Sequence, residues 1–395
     1  MTTGNVTHPT PTSGDPMPTS RPHAGAGSAD PAPVHTPRLN RRRLLQGSAG
    51  VTLAGASPVA LTDNASASAP SRTSLRRIPK IDVHAHFLPT DYRQALIDNG
   101  HSAPDGFPVL PTWSAPAHLS MMDSLGIGTS MLSISSPGVD FGADKVEWAR
   151  RVNDTGAKTV QDNPGRFGLF ASLPLPDVDA SLAEIRYAFD TLKVDGVSME
   201  TNYDGIYLGD SRLDPVFAEL DRRGAVLFLH PTSPSCWEAT SLGYPRPMLE
   251  FLLDTTRAVS NMVLNGTLAR YPHIRLIVPH AGAALPVLAD RLAGVAGLFP
   301  VGGQPKGEVD VIATLRRLHY EVGAGWPFPR HIAALLNLVD ASQLVFGSDF
   351  PFGGAPGIAA NINSLIDTDL MQHKEVAGVL RENALQLFPR LQAVP

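Results

Sequence analysis

From about residue 78 the chain repeats one pattern. A short apolar run ends in polar residues, and a longer segment follows with apolar positions three and four apart. The runs are Lys80–His84, Thr129–Ser133, Gly168–Leu173, Gly196–Met199, Ala225–His230, Arg275–His280, Leu318–Gly323 and Leu344–Ser348. Several are nearly continuous, which predicts parallel strands covered on both faces. Between them, Ala180–Leu192 sets Leu182, Ile185, Phe189 and Leu192 on one stripe. Asp214–Arg223 turns Val216, Phe217 and Leu220 inward and stops at Gly224. Eight strands alternating with helices predict an α/β fold, a (β/α)8 TIM barrel spanning residues 78–391, with 392–395 as a tail. A doubly wound open sheet is the alternative. No G-x-G-x-x-G follows the first strand, which removes its dinucleotide-binding form. Two connections are long: Pro89–His118 after the first strand, and Pro231–Pro247 after the fifth. Such loops usually act as lids or binding loops, and both would lie over the C-terminal mouth of a barrel.

Residues 1–77 break the pattern. Met1–Asn40 is rich in Pro, Thr, Ser and Gly and has few large apolar residues, so it should be disordered. Asn40-Arg41-Arg42-Arg43-Leu44-Leu45-Gln46 follows, then a mildly apolar stretch from Gly47 to Leu61 and Ala65-Ser66-Ala67-Ser68-Ala69. This resembles a twin-arginine export signal with a small-residue cleavage site. Residues 1–77 are therefore expected to be a leader outside the fold. The protein would be periplasmic or extracellular if the signal operates, and cytoplasmic otherwise.

The polar residues that end the apolar runs carry the chemistry. Strand one ends in His84 and His86, which period-two geometry places on one face together with Asp82. Strand five ends in His230, strand six in His280 and strand eight in Asp349. One such residue is as readily a packing residue as a functional one. Four strands of a barrel ending this way at the same mouth predict that all five side chains meet near its axis. Three imidazoles and a carboxylate suit Zn²⁺ or Mn²⁺ with one position open, and a remaining histidine can serve as acid or base.

Composition narrows the partners. Hydrophobic residues make up 43% of the 395, enough for a sizeable core. The formal net charge is −5 with no long basic run, which argues against nucleic acid. Cys236 stands alone, so there is no internal disulfide and no cysteine-based cluster. No stretch approaches the roughly 20 apolar residues of a membrane span.

His84-x-His86, His230-Pro231, His280-Ala281-Gly282 and Gly347-Ser348-Asp349-Phe350-Pro351 together resemble the amidohydrolase superfamily, in particular its aminocarboxymuconate semialdehyde decarboxylase-like branch. Tyr207-Leu208-Gly209-Asp210, Asp214-Pro215-Val216-Phe217 and Glu382-Asn383-Ala384 extend the likeness collinearly. Trp113, Met122–Gly126, Ser133–Gly138, Asn202–Gly205 and Asp254–Val259 are most similar to the 6-methylsalicylate decarboxylases of that branch.

The resemblance implies that His84, His86, His230 and Asp349 hold one divalent ion, Zn²⁺ with Mn²⁺ as the alternative, and that His280 is a nearby acid–base group. Asp82 would support a ligand. Arg291, eleven residues after His280, would bind a substrate carboxylate across a homodimer interface; the alternative is a surface ion pair. A second arginine of the branch has no counterpart between His101 and Thr112, which argues against a dicarboxylate. Phe87, Trp113, Phe107, Tyr203 and Trp237 could wall an aromatic ring. The expected activity is non-oxidative decarboxylation of a 2-hydroxybenzoate-type acid, with Asp349 and His280 as proton carriers. The alternative is metal-dependent hydrolysis of a lactone, ester or amide at the same site. A non-catalytic exported binding protein would be expected to lack some of these ligands.

Overall fold

The computed structural model of the protein describes residues 70–393, except 143 and 306. The twin-arginine segment lies outside the described residues. The fold starts ahead of the expected boundary at 78. Ser71 caps a short helix, Arg72–Arg77, whose Leu75 is fully buried and whose Arg76 pairs with Asp367.

All eight expected strands form. They are β1 (Lys80–His86), β2 (Ile127–Ser133), β3 (Phe167–Ser172), β4 (Gly196–Glu200), β5 (Val226–His230), β6 (Arg275–Val278), β7 (His319–Glu321) and β8 (Leu344–Val345). Every neighbouring pair is parallel and the order follows the sequence. The last strand returns to the first. Val83 N donates to Phe346 O at 2.9 Å, and His86 N donates to Phe350 O at 2.7 Å beside a parallel bridge between Ala85 and Phe350. The sheet is therefore a (β/α)8 barrel, as the alternation of runs implies.

Two apolar cores hold it. The larger lies between strands and helices. A second joins strand residues Ile81, Val83, Met131, Phe170, Phe228 and Ile277 to Leu385, Phe388 and Leu391 of the C-terminal segment. Phe388 packs against Phe170, which stacks on Phe228 at 5.5 Å. The helix Asp214–Arg223 ends where expected, with Gly224 left-handed at φ 58°. The helical run 180–192 starts earlier, at Val178 under an Asp177 cap, and ends in a π turn from Ala188 to Leu192. No described helix is long and apolar enough to cross a membrane.

Candidate metal and catalytic site

The C-terminal ends of β1 and β5 and the turns after β6 and β8 bring His84, His86, His230, His280 and Asp349 together. The His84 and His86 Nε2 atoms lie 3.1 Å apart. Asp349 Oδ1 is 3.1 Å from His86 Nε2 and 3.5 Å from His84 Nε2. The ring of His230 sits 4.8 Å from that of His86, and the ring of His280 lies 5.3 Å from that of His84. His84, His86 and His230 offer ligand atoms within 4.8 Å of one another, as do His84, His280 and Asp349.

The outer nitrogen of each ligand histidine faces a polar side chain. His84 Nδ1 is 3.1 Å from Glu321 Oε2, and His86 Nδ1 is 3.2 Å from Ser133 Oγ. His230 Nδ1 lies 3.4 Å from Glu200 Oε2 without hydrogen-bond geometry, and neither atom has a hydrogen-bond partner among the described residues. At His84 the ionised Glu321 carboxylate can only accept, so Nδ1–H is held outward and Nε2 keeps its lone pair directed inward, the tautomer a divalent cation needs. Three inward imidazoles and a carboxylate, nearly all buried, fit a mononuclear divalent-metal site.

Local charge follows from this packing. Burial alone would raise the Asp349 pKa, but the neighbouring His84 and His86 rings bring it below the usual carboxylate range. Glu321 behaves likewise: burial opposes ionisation, yet its bond to His84 and the nearby imidazoles bring its pKa to about 2. Burial pulls His280 down to about 4 and His230 well below its ordinary value. Glu200 is pushed well up by burial, then by Asp105 and Asp140.

Asp82 is a support. Its Oδ1 accepts from His84 N and Ser348 N, and its Oδ2 accepts from Ser130 and Ser348 hydroxyls. It thus ties β1 to β2 and to the Asp349 turn. β1 is irregular here, its register against β2 shifting between Asp82 and Ala85.

The turn carrying His280 has an uncommon backbone. His280, Ala281, Gly282 and Ala283 all have positive φ, at 53°, 54°, 79° and 53°. Three elements brace it. Glu321 accepts from His280 N at 3.0 Å, Thr256 Oγ1 accepts from Ala284 N at 3.0 Å, and His331 Nε2 lies 2.7 Å from Ala283 O. Asp349 is also left-handed, at φ 59°, its N–H bonded to His84 O.

A cavity of about 540 Å³ opens onto His230, His280 and Asp349. Its wall is largely apolar, with Phe107, Phe251, Leu252, Trp326, Phe352 and Ile358. Of the ring-wall residues expected from sequence, Phe107 is in this wall. Tyr203 and Trp237 line a separate pocket of about 390 Å³ beside it. Phe87 and Trp113 line neither pocket. Phe87 follows His86, so strand alternation turns it to the outer side, where it is 1% exposed and meets Trp113 ring to ring at 5.9 Å. Trp113 donates its indole N–H to His118 Nδ1 at 3.0 Å. Arg291 lies exposed on the helix Leu285–Leu298 and does not line the cavity of its own chain. Glu200, Glu321, Trp326, His331 and Asn361 were not singled out from sequence. The Trp326-Pro327-Phe328-Pro329 run after β7 was the available signal for a mouth loop.

A barrel with one cluster of three imidazole ligands and an aspartate at its C-terminal mouth defines a metal-dependent enzyme class. The profile of the amidohydrolase family matches residues 81–390, and the chain belongs to that family. It is 34% identical over 321 residues to the 6-methylsalicylic acid decarboxylase of Penicillium expansum, covering 80% of this chain and 98% of that protein. The 6-methylsalicylic acid decarboxylase of Aspergillus aculeatus is also 34% identical, over 79% of this chain and 97% of its own length. The crystal structure of an amidohydrolase II aligns at a TM-score of 0.74 and 34% identity, over 78% of this chain and 99% of that one.

Proposed function

We propose that the protein is a metal-dependent, non-oxidative decarboxylase of a 2-hydroxybenzoate-type aromatic acid, with 6-methylsalicylate as the reference substrate. The observation that carries this reading is a largely apolar, ring-sized cavity opening directly onto the histidine–aspartate cluster. The decarboxylase relatives named above support it. A nitrogen-rich set favours Zn²⁺, with Mn²⁺ as the alternative. Bound there, the cation supplies Lewis-acid stabilisation of the substrate's phenolic and carboxylate oxygens.

The chain's own residues supply proton transfer and orientation. Asp349 opens toward the cavity, its side chain 29% accessible where those of His84 and His86 are closed. His280 Nδ1 is buried without a partner. One of these two takes the proton of the substrate's phenolic hydroxyl and passes it to the ring carbon that bears the carboxylate, leaving a ring ketone. The C–C bond then breaks, its electron pair restores the aromatic ring, and CO₂ leaves. No oxidant, covalent enzyme intermediate or attacking water is required. The apolar wall limits bulk water around the ring.

The test is a panel of hydroxybenzoates with Zn²⁺- or Mn²⁺-loaded protein in ¹⁸O-water. The expected result is CO₂ and a phenol without solvent oxygen in the phenol. Chelation should stop the reaction, and His280→Ala and Asp349→Ala should each lower kcat by at least about 100-fold. Lactone or ester hydrolysis without CO₂ release would overturn the reading.

Two further parts of the proposal concern the whole chain. The active form is a homodimer in which Arg291 reaches the partner's cavity and binds the substrate carboxylate. The leader directs twin-arginine export, which rests on Arg41-Arg42-Arg43 and the mild apolar stretch after it. Replacing Arg41, Arg42 and Arg43 with lysines should retain the protein in the cytoplasm of a host that exports the parent. Unchanged export would refute this route.

A further inference from the structure

The aromatic side chains of the cavity wall differ in what covers them. Phe107 meets Phe352 ring to ring at 5.5 Å, Phe352 meets His86 at 5.6 Å, and Phe251 meets His230 at 6.2 Å. The tryptophans away from this cavity are engaged as well. Trp113 packs on Phe87 and His118, Trp148 on Tyr92 and Phe141, and the Arg246 guanidinium lies 4.0 Å from the centre of the Trp237 ring. Trp326 is the exception. It lines the cavity, but its indole meets no ring, cation or hydrogen-bond acceptor among the described residues, and it is 73% exposed. An uncovered indole forfeits one of the largest apolar burials a side chain offers.

Its backbone is unfavourable too. Trp326 has φ 51°, a left-handed conformation that is an outlier for a bulky residue and that glycine would relieve. A strained position held by a large exposed aromatic points to use of the side chain rather than to packing. The place fits such a use. The preceding Gly325 passes the proposed proton carrier, since a Cβ built there would lie 3.5 Å from His280 Cδ2. On the other side, the indole Cζ2 is 3.8 Å from the position of a Cβ on Gly357, in the helix Ala355–Asp367 after β8. The residue thus reaches from the loop after β7 to that helix. Gly354 and Gly357 both line the cavity there, so neither brings a side chain that competes for the space.

We propose that Trp326 is a substrate-binding residue that stacks on the ring of the bound acid and selects flat rings over puckered ones. This rests on the aromatic-acid reading of the cavity and goes beyond it by naming the residue that recognises the ring. A flat ring covers the indole and gains ring–ring attraction beyond the area it buries, whereas a saturated ring with the same substituents gains from area alone. Leucine at 326 would keep apolar area and the same left-handed backbone but would lose the aromatic face.

The test compares 2-hydroxybenzoate with cis-2-hydroxycyclohexanecarboxylate, which carries the same two groups on a saturated ring. Dissociation constants are measured by calorimetry on the metal-loaded full chain, for the parent, Trp326→Leu and Trp326→Phe. The ratio of the two constants is compared between proteins, so differences in how the two acids meet the metal cancel. The parent should prefer the aromatic acid. Trp326→Leu should reduce that preference about 2- to 10-fold, and Trp326→Phe should keep most of it. Metal affinity, read by chelator competition, should be the same in all three. Trp326→Gly, which relieves the backbone, gives the same reading if the leucine variant does not fold. An unchanged preference in the folded variants that lack a ring, an equal loss for both acids, or a loss of metal affinity would overturn the proposal. So would conversion of a parent dimer to monomers in Trp326→Leu, which would place the indole between two copies. CO₂ release from 6-methylsalicylate is scored separately. A ring preference that depends on Trp326 without CO₂ release refutes the decarboxylase reading and leaves the stacking residue standing; CO₂ release with a preference indifferent to Trp326 refutes the stacking residue alone.

Discussion

Glu321 shows how much of the site depends on side chains that hold the ligands. Its carboxylate accepts from His84 Nδ1, from His280 N and from the backbone of Gly323 and Ala324. One ionised group thus fixes the tautomer of a metal ligand and the start of the His280 turn. Glu321→Gln keeps the volume but loses the charge that favours Nδ1–H on His84. Metal affinity, measured by chelator competition, should fall about 10- to 100-fold. Unchanged affinity would show that Glu321 only fills space. His118 offers a separate test. It accepts the Trp113 N–H on Nδ1, so Nε2 carries the hydrogen, and Nε2 is buried without a partner. Burial, then His86 and the Arg166 guanidinium nearby, bring its pKa from 6.5 to about 3. The folded state resists a proton that the unfolded chain accepts below about 6.5. Stability from this group is therefore complete at neutral pH and falls as the pH drops from 6.5 toward 3, by at most about 4–5 kcal/mol. His118→Asn, whose Oδ1 can take the Trp113 N–H, should flatten that part of the unfolding profile. An unaltered slope would assign the acid sensitivity to other groups.

The strands were legible in the sequence because parallel barrel strands are buried on both faces and read as continuous apolar runs. Their ends were legible for the same reason: His84, His86, His230, His280 and Asp349 interrupt or close those runs. Glu321 was harder to see. It sits inside the run 318–323, among His319 and Tyr320, and not at the end of the run where the other site residues stand. Asn361 and His331 were hidden by helical geometry, since one polar residue on an amphipathic helix is ordinary and only the fold shows which face meets the cavity. Phe87 and Trp113 failed as ring-wall residues through strand alternation, which the HxH register could have excluded for Phe87. The left-handed turn after β6 was unreadable beyond Gly282, because His280, Ala281 and Ala283 are not residues that announce positive φ. That turn gives a prediction at the scale of the element. A Cβ on Gly282 would meet Tyr320 Cδ1 at 2.8 Å, at φ +79°, whereas one on Gly224, at φ +58°, would meet nothing within 4 Å. Gly224→Ala should cost about 1 kcal/mol for the left-handed conformation alone. Gly282→Ala should cost more, about 2–3 kcal/mol, and should lower kcat as His280 is displaced. Equal losses of melting temperature with equal activity would show that the turn does not set the position of His280.

For the whole molecule, the question is what covers the outer face of the helix Leu285–Leu298. Arg291 there has no ion pair or hydrogen bond among the described residues, so the surface pair with Asp290 or another acid does not form among them. Val287 and Val295 lie one turn to either side, and Leu298 lies two turns on, so all four share a face. Val287 is 70% exposed, Leu298 62%, and Phe299 beyond them also 62%. A row of exposed apolar side chains around an unpaired guanidinium suits burial against a second copy rather than water. It also suits an arginine destined for a carboxylate, because that pair is bidentate and gains strength once water is excluded. The two roles separate experimentally. Val287→Asp together with Leu298→Asp should yield monomers by light scattering, with CO₂ release lost if Arg291 acts across the interface. Arg291→Ala should leave the dimer largely assembled but raise KM for the acid by at least about tenfold, and Arg291→Lys should recover only part of it. A monomer with full activity would return the site to a single chain. A dimer in which Arg291→Ala leaves KM unchanged would keep the assembly but remove this arginine from substrate binding.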